Sequence, residues 1–121
     1  MAGPALLIIA ACGGPAPMSP TPPPVETTAN AYILPGAVQL GPNAFGDEPV
    51  RIFKGERMRL RNFDSEEHNL VADTRALPEF VPTGAFPSGD ERSFVMNTIG
   101  STTFHCTIHP QMVGTLIVQA R

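Results

Sequence analysis

Short apolar segments that alternate with polar residues recur along the chain from about residue 31 onward, separated by Gly, Pro, Asn and Asp. No stretch keeps a helical period for long, so the pattern predicts β-strands. The predicted strands are residues 32–40, 50–53, 57–63, 68–72, 92–97, 102–106 and 114–119. Seven short strands predict an all-β Greek-key β-sandwich in which two sheets bury their alternating apolar positions against each other.

The alternation is clearest at residues 57–61. A period of two sends Met58 and Leu60 to the core and leaves Arg57, Arg59 and Arg61 facing outward. Outward charge is usual on a half-exposed strand, so the arginines predict a solvated face. The alternative is a docking patch for an acidic partner.

The N-terminal region has a different composition. Residues 1–11 form an apolar run that is too short to span a bilayer but suits a signal peptide, and Ile9, Ala10, Ala11 and Cys12 resemble a bacterial lipobox. We therefore expect export, lipidation of Cys12, and a location in the periplasm or on the outer face of the cell membrane. Residues 12–30 are crowded with proline and predict a semi-rigid spacer, which leaves residues 31–121 as the folded domain.

Length and charge narrow the function classes further. The 121 residues leave room for one small domain, which we expect to be a monomer. Charged residues make up 16% of the chain and the formal net charge is −3, which argues against a nucleic-acid partner and against a disordered polyelectrolyte.

Candidate metal ligands cluster near the C-terminus. Cys106, His109 and Met112 lie within one short turn, and His68 supplies a second imidazole from far upstream. Two imidazoles, one thiolate and a weak thioether are the ligand set of a blue-copper electron-transfer centre. By strand alternation Cys106 points inward and His105 outward, so we expect His105 to lie outside the site.

Other uses of these residues are open. A zinc site could use Cys106, His68 and His109 but would lack a strong fourth ligand, since methionine is a poor one. A nucleophilic Cys106 with His109 as its base is a second alternative, although no orienting Asp or oxyanion motif accompanies the pair. Gln111 could replace Met112 as the weak fourth ligand.

Several motifs resemble the cupredoxins, the plastocyanin, azurin and amicyanin group, over residues 31–121. They are the strand pair at residues 50–64, the segment at residues 87–94, and the ligand loop and strand at residues 106–118. The resemblance implies one copper ion with His68, Cys106 and His109 as equatorial ligands and Met112 as axial ligand. It also implies that Asn69 and Thr107 form hydrogen bonds around the site.

The same resemblance implies a one-electron carrier and not an enzyme, with redox proteins such as cytochromes or a copper oxidase as partners. The alternative function is a copper carrier or chaperone that delivers the ion to a cuproenzyme. Electrons would pass through the exposed edge of His109. The expected apolar rim around that edge consists of Pro35, Phe80, Pro82, Phe86, Pro87 and Pro110.

Overall fold

The structure is a computed structural model that describes residues 27–121, and these residues form two β-sheets. The elements in chain order are β1 (Thr28–Ile33), α1 (Ala37–Leu40), a 3-10 turn (Gly41–Asn43), β2 (Val50–Phe53), β3 (Arg57–Asn62), β4 (Leu70–Ala72), β5 (Glu91–Val95), β6 (Gly100–Cys106) and β7 (Val113–Gln119). The predicted all-β Greek-key sandwich is confirmed. The signal segment, the lipobox with Cys12 and most of the proline-rich spacer lie outside the described residues.

The smaller sheet has the strand order β1-β3-β5. Strand β3 runs parallel to β1 and antiparallel to β5. Met58 and Leu60 are buried while the three arginines of β3 are only half-buried, so the predicted alternation is confirmed. This sheet therefore turns an apolar face to the core and an arginine-bearing face outward.

The larger sheet has the order β2-β7-β6-β4. Strand β7 pairs in parallel with β2 and antiparallel with β6, and β6 pairs with the short edge strand β4. The register sets Leu70 of β4 opposite Cys106, the last residue of β6. The sheet thus holds the segment that follows His68 next to Cys106.

The core between the sheets is filled by aromatic and aliphatic side chains. Phe104 stacks edge-on against Phe45 and Phe80, with ring centroids 4.8 and 5.4 Å apart. Gly114 makes this packing possible, because a Cβ there would lie 2.5 Å from the Phe104 ring and 2.8 Å from the Phe45 ring. The cysteine at the end of β6 is therefore held on a tightly packed strand pair.

The largest departure from the predicted strands lies at residues 32–40. Strand β1 begins at Thr28, three residues before the expected start of the domain, and ends at Ile33. Gly36 then adopts a left-handed conformation with φ of 76° and precedes helix α1. Pro35 and Gly36 end the strand because proline has no N–H to donate and glycine allows positive φ. In residues 27–121 no helix is long and apolar enough to cross a membrane.

Candidate metal centre

Three candidate ligands from two separate segments meet beyond the end of β6. The ligating atoms of His68, Cys106 and His109 all lie within 4.8 Å of one another. The Cys106 Sγ is 3.7 Å from Nδ1 of His68 and 3.9 Å from Nδ1 of His109. Both imidazoles therefore present the same ring nitrogen to the sulfur.

These separations fit a shared metal ion. Taking zinc bond lengths as a guide, metal–sulfur of about 2.3 Å and metal–nitrogen of about 2.0–2.1 Å, ligand angles of about 110–120° place sulfur and nitrogen about 3.6–3.8 Å apart. The observed 3.7 Å for His68 lies within that range, and the 3.9 Å for His109 lies just above it. The donor set of one thiol and two imidazoles suits copper or zinc, and an additional thioether favours copper.

Backbone hydrogen bonds hold the two ligand segments together. The Cys106 N–H donates to the Met112 carbonyl at 3.1 Å, and the Met112 N–H donates to the His109 carbonyl at 2.9 Å, which closes the loop of residues 106–112. His68 exchanges two backbone bonds with Phe86, at 3.2 and 2.9 Å. The positions of both histidines are thus set by main-chain geometry on either side of the cysteine.

Asp64 lies directly behind His68. Its Oδ2 is 2.8 Å from the His68 Nε2, and both side chains are almost fully buried. Burial alone would raise the pKa of this carboxyl, but hydrogen bonds from His68, Gly36 and Ser65 outweigh it and lower the pKa below its ordinary value. The ionised carboxylate favours the tautomer that keeps hydrogen on Nε2 and leaves Nδ1 free for a metal.

Sequence reasoning gave Asp64 no role, although it placed the residue in the motif before His68. The available signal was the spacing Asp64-x-x-x-His68 directly after a strand. Asn62 completes this buried network: its Oδ1 accepts from the Asp64 N–H at 2.9 Å, and its Nδ2 donates to the Glu66 carbonyl at 2.8 Å. The network anchors the loop that carries His68.

His109 is the ligand nearest to solvent, with 18% of its side chain exposed. Its Nε2 lies 3.5 Å from a carboxylate oxygen of Glu66, which is itself 53% exposed. Each imidazole therefore has Nδ1 toward the sulfur and a carboxylate near Nε2, buried for His68 and exposed for His109.

The two candidate axial ligands differ in environment. Met112 is fully buried, whereas Gln111 is exposed and its Nε2 donates to the Val38 carbonyl at 3.4 Å. The structure thus directs Gln111 toward helix α1 and keeps Met112 within the protein. Burial favours Met112 as the fourth donor.

Asn69 and Thr107 connect the two ligand segments. The Thr107 N–H donates to the Asn69 backbone carbonyl at 2.9 Å. The Asn69 Oδ1 is buried without a hydrogen-bond partner. The connection is made by the main chain, and the Thr107 side chain is exposed.

His105 lies outside the cluster, as the alternation of β6 predicted. Its Nδ1 is 2.5 Å from a carboxylate oxygen of Asp73. Hydrogen bonding from Thr103 is the main cause that lowers the pKa of Asp73, and His105 adds to it. His105 therefore takes part in a contact with Asp73 away from the cluster.

The expected apolar rim is wrong at two residues. Phe80 and Phe86 are 5% and 0% exposed and belong to the core, because the loop of residues 74–88 folds back over the sandwich. Pro35, Pro82, Pro87 and Pro110 are exposed. A charged residue at Phe80 or Phe86 would disrupt packing, so these positions cannot report on partner contact.

Comparison with known proteins identifies the architecture. No family model and no curated protein matches the chain. Among solved structures, a purple cupredoxin from Nitrosopumilus maritimus is 23% identical with a TM-score of 0.64, covering 75% of this chain and 99% of that one. Amicyanin from Paracoccus versutus is 22% identical with a TM-score of 0.53, covering 80% of this chain and 84% of that one. Residues 27–121 therefore have the cupredoxin fold, with a His68-Cys106-His109 cluster at the end of β6.

Proposed function

We propose that the chain is a type 1 copper protein that carries single electrons between redox proteins of the cell envelope. The observation that carries this proposal is the buried Cys106 sulfur, which lies 3.7 and 3.9 Å from two imidazole Nδ1 atoms. Copper bound there supplies a one-electron couple, because sulfur donors favour Cu(I) and imidazole binds both oxidation states.

The rigidity of the ligand segments supports electron transfer. His68 and Cys106 are fully buried, and hydrogen bonds join their segments to each other and to the loop that carries His109. Ligands held in this way move little when the oxidation state changes, which favours fast transfer. Burial also favours retention of the metal, so it supports a carrier of electrons over a carrier of copper.

The direct test is to add Cu(II) to the full chain and record visible absorption and electron paramagnetic resonance. An intense blue band with narrow copper hyperfine splitting supports a type 1 centre. A pale spectrum, or tighter binding of zinc than of copper in competition, would overturn it.

The rate at which the protein releases copper distinguishes copper delivery from electron transfer. An electron carrier keeps its ion through many cycles of oxidation and reduction, whereas a copper donor releases it to a competing ligand. We therefore expect the Cu(I)-loaded chain to lose its copper only slowly, over hours, to an excess of a Cu(I) chelator. Loss within seconds would favour the chaperone.

Replacing Met112 with glutamine is expected to lower the reduction potential. A harder axial oxygen stabilises Cu(II), and each tenfold gain in relative affinity for Cu(II) corresponds to about 59 mV for one electron. Voltammetry measures the shift. Gln111→Ala is the matched control and should leave the potential unchanged, because its side chain faces Val38. An unshifted Met112→Gln variant would identify Met112 as a core residue only.

We also propose that Cys12 is lipidated and anchors the protein to the cell envelope. The support is the apolar run that ends in Ile9, Ala10, Ala11 and Cys12. Expressed in a bacterium that processes lipoproteins, the chain should fractionate with membranes and carry acyl chains by mass spectrometry. Cys12→Ser should move it to the soluble fraction, and a variant that stays bound to membranes without acyl mass would refute the assignment.

A further inference from the structure

The outward face of the smaller sheet carries positive charge on a chain whose net charge is −3. Strand registers align three rows on this face: Thr28, Arg57 and Val95; Asn30, Arg59 and Ser93; Tyr32, Arg61 and Glu91. Within these rows, Arg59 and Arg61 lie beside a single acidic residue, Glu91. We call these nine positions, with the adjoining Phe63, the arginine face.

The guanidinium groups of this face are held in place and still reach solvent. Arg59 donates two hydrogen bonds of 3.0 Å to Glu91, and the Arg61 Nε lies 3.7 Å from the same carboxylate. The side chains of both arginines are 39% exposed. One carboxylate is therefore shared by two arginines, which fixes their positions and leaves an excess of positive charge.

An exposed aromatic pair stands at one end of the arginine face. The rings of Tyr32 and Phe63 are 5.4 Å apart, and the residues are 38% and 46% exposed. The Arg61 guanidinium lies over the Phe63 ring, 5.1 Å from its centroid. Exposed rings fixed by a cation are typical of a contact surface, since they add apolar area with little loss of side-chain entropy on binding.

This aromatic end of the arginine face is also connected to the candidate metal centre through a short path of bonds. Phe63 is covalently joined to Asp64, whose Oδ2 is 2.8 Å from the His68 Nε2. One hydrogen bond and a short covalent segment thus connect an exposed ring to a buried ligand.

The surface around His109 has the opposite charge. The loops of residues 64–69 and 107–112 contain no Lys or Arg, and Glu66 and Glu67 are exposed there. Glu66 lies 3.5 Å from the His109 Nε2. Two surfaces of opposite sign, each leading to a different histidine, fit two partners of opposite charge.

We propose that the arginine face is the docking surface for an acidic electron-transfer protein, and that the electron passes through Phe63 and Asp64 to His68. This inference rests on the proposed function. The reduced partner loses one electron, and Cu(II) gains it to become Cu(I). An anionic membrane could also bind a basic face. The link from the aromatic pair to His68 favours a redox protein instead.

The test begins with binding, which needs no copper chemistry in the chain. Isotope-labelled full chain is titrated with cytochrome b5, an acidic haem protein, at low ionic strength, and backbone chemical shifts are followed. Shifts should concentrate on β1, β3, β5 and Phe63, and should vanish at high salt. Shifts confined to residues 64–69 and 107–112, or no shifts at all, would overturn the proposal.

Charge variants then test which arginines matter. The Arg57→Gln/Arg61→Gln variant should lower the association rate constant with cytochrome b5 about tenfold at low salt. Arg51→Gln is the control, because Arg51 is exposed on β2 of the other sheet. If the control lowers the association rate constant as much per removed charge as the double variant does, the net charge of the chain acts and not this face.

Two further measurements separate the remaining explanations. With the copper-loaded chain, Phe63→Leu should slow electron transfer within the complex. The rate is measured at partner concentrations that saturate both proteins, so that a loss of affinity does not contribute, and equal transfer rates would overturn the route. Cosedimentation with phosphatidylglycerol vesicles that depends on Arg57 and Arg61, without binding of cytochrome b5, would assign the face to a membrane. If the chain shows no blue band but the shifts remain on the arginine face, the surface stands and the proposed function fails.

Discussion

Cys106→Ser is expected to abolish the intense visible band of the copper-loaded chain completely. That band requires charge transfer from a thiolate to Cu(II), and Cys106 is the only sulfur in the cluster of His68, Cys106 and His109. A serine hydroxyl is a far harder donor, so any copper that still binds should give a pale spectrum. Visible absorption and electron paramagnetic resonance at equal copper loading measure the loss.

The sandwich should survive this substitution. The backbone hydrogen bond from residue 106 to the Met112 carbonyl does not involve the side chain, and the register of β6 with β4 and β7 is set by the backbone. Circular dichroism should therefore show unchanged β-structure. His105→Ala is the matched control, since His105 is adjacent in sequence but pairs with Asp73. A blue band that persists in Cys106→Ser would disprove the site.

The strands that the sequence predicts best are those with one face buried and one exposed. Strand β3 alternates Met58 and Leu60 with arginines, and β6 alternates Phe104 and Cys106 with polar residues. A period of two in a half-buried strand fixes both the element and the direction of each side chain. The inward orientation of Cys106 and the separation of His105 from the site therefore followed from the pattern alone.

Residues 34–40 show where local pattern is insufficient. The apolar residues Val38 and Leu40 suit a continuing strand, but Gly36 turns the chain and the helix α1 follows. The Gly36 N–H donates to the Asp64 Oδ1 at 3.0 Å, so this turn is partly set by a residue 28 positions away. Composition near residue 36 does not reveal such a long-range partner.

The prediction for Phe80 and Phe86, in the loop of residues 74–88, was wrong for a similar reason. The phenylalanines of this loop were assigned to a rim around His109. In the structure Phe80 packs against Phe94 and Phe104, and the Phe86 backbone pairs with His68. Whether a loop aromatic faces solvent or core depends on how the loop folds back, which no short-range pattern encodes.

Asp64→Asn is expected to raise the reduction potential and to lower the stability of the fold. The carboxylate accepts hydrogen bonds from the His68 Nε2 and from the Gly36 N–H, and asparagine has only one oxygen to replace its two. One buried donor then loses its partner, which costs about 1–3 kcal/mol in the free energy of unfolding. The lost negative charge weakens Cu(II) relative to Cu(I), and a tenfold change in that ratio raises the potential by about 59 mV.

The pH dependence of stability tests whether the charge of Asp64 is responsible. Because the folded-state pKa of Asp64 lies below its ordinary value, its carboxylate stabilises the fold above about pH 4 and that contribution is lost as the pH falls through the folded-state pKa. Urea denaturation of the metal-free chains should therefore show a large difference between native and Asp64→Asn proteins at pH 7 and a smaller one near pH 3. Asp47→Asn serves as the control, since Asp47 is exposed in the turn before β2 and should change neither stability nor potential. A stability difference that stays constant with pH would mean that Asp64 acts through shape alone, and an unchanged potential would mean that its charge does not reach the ligand.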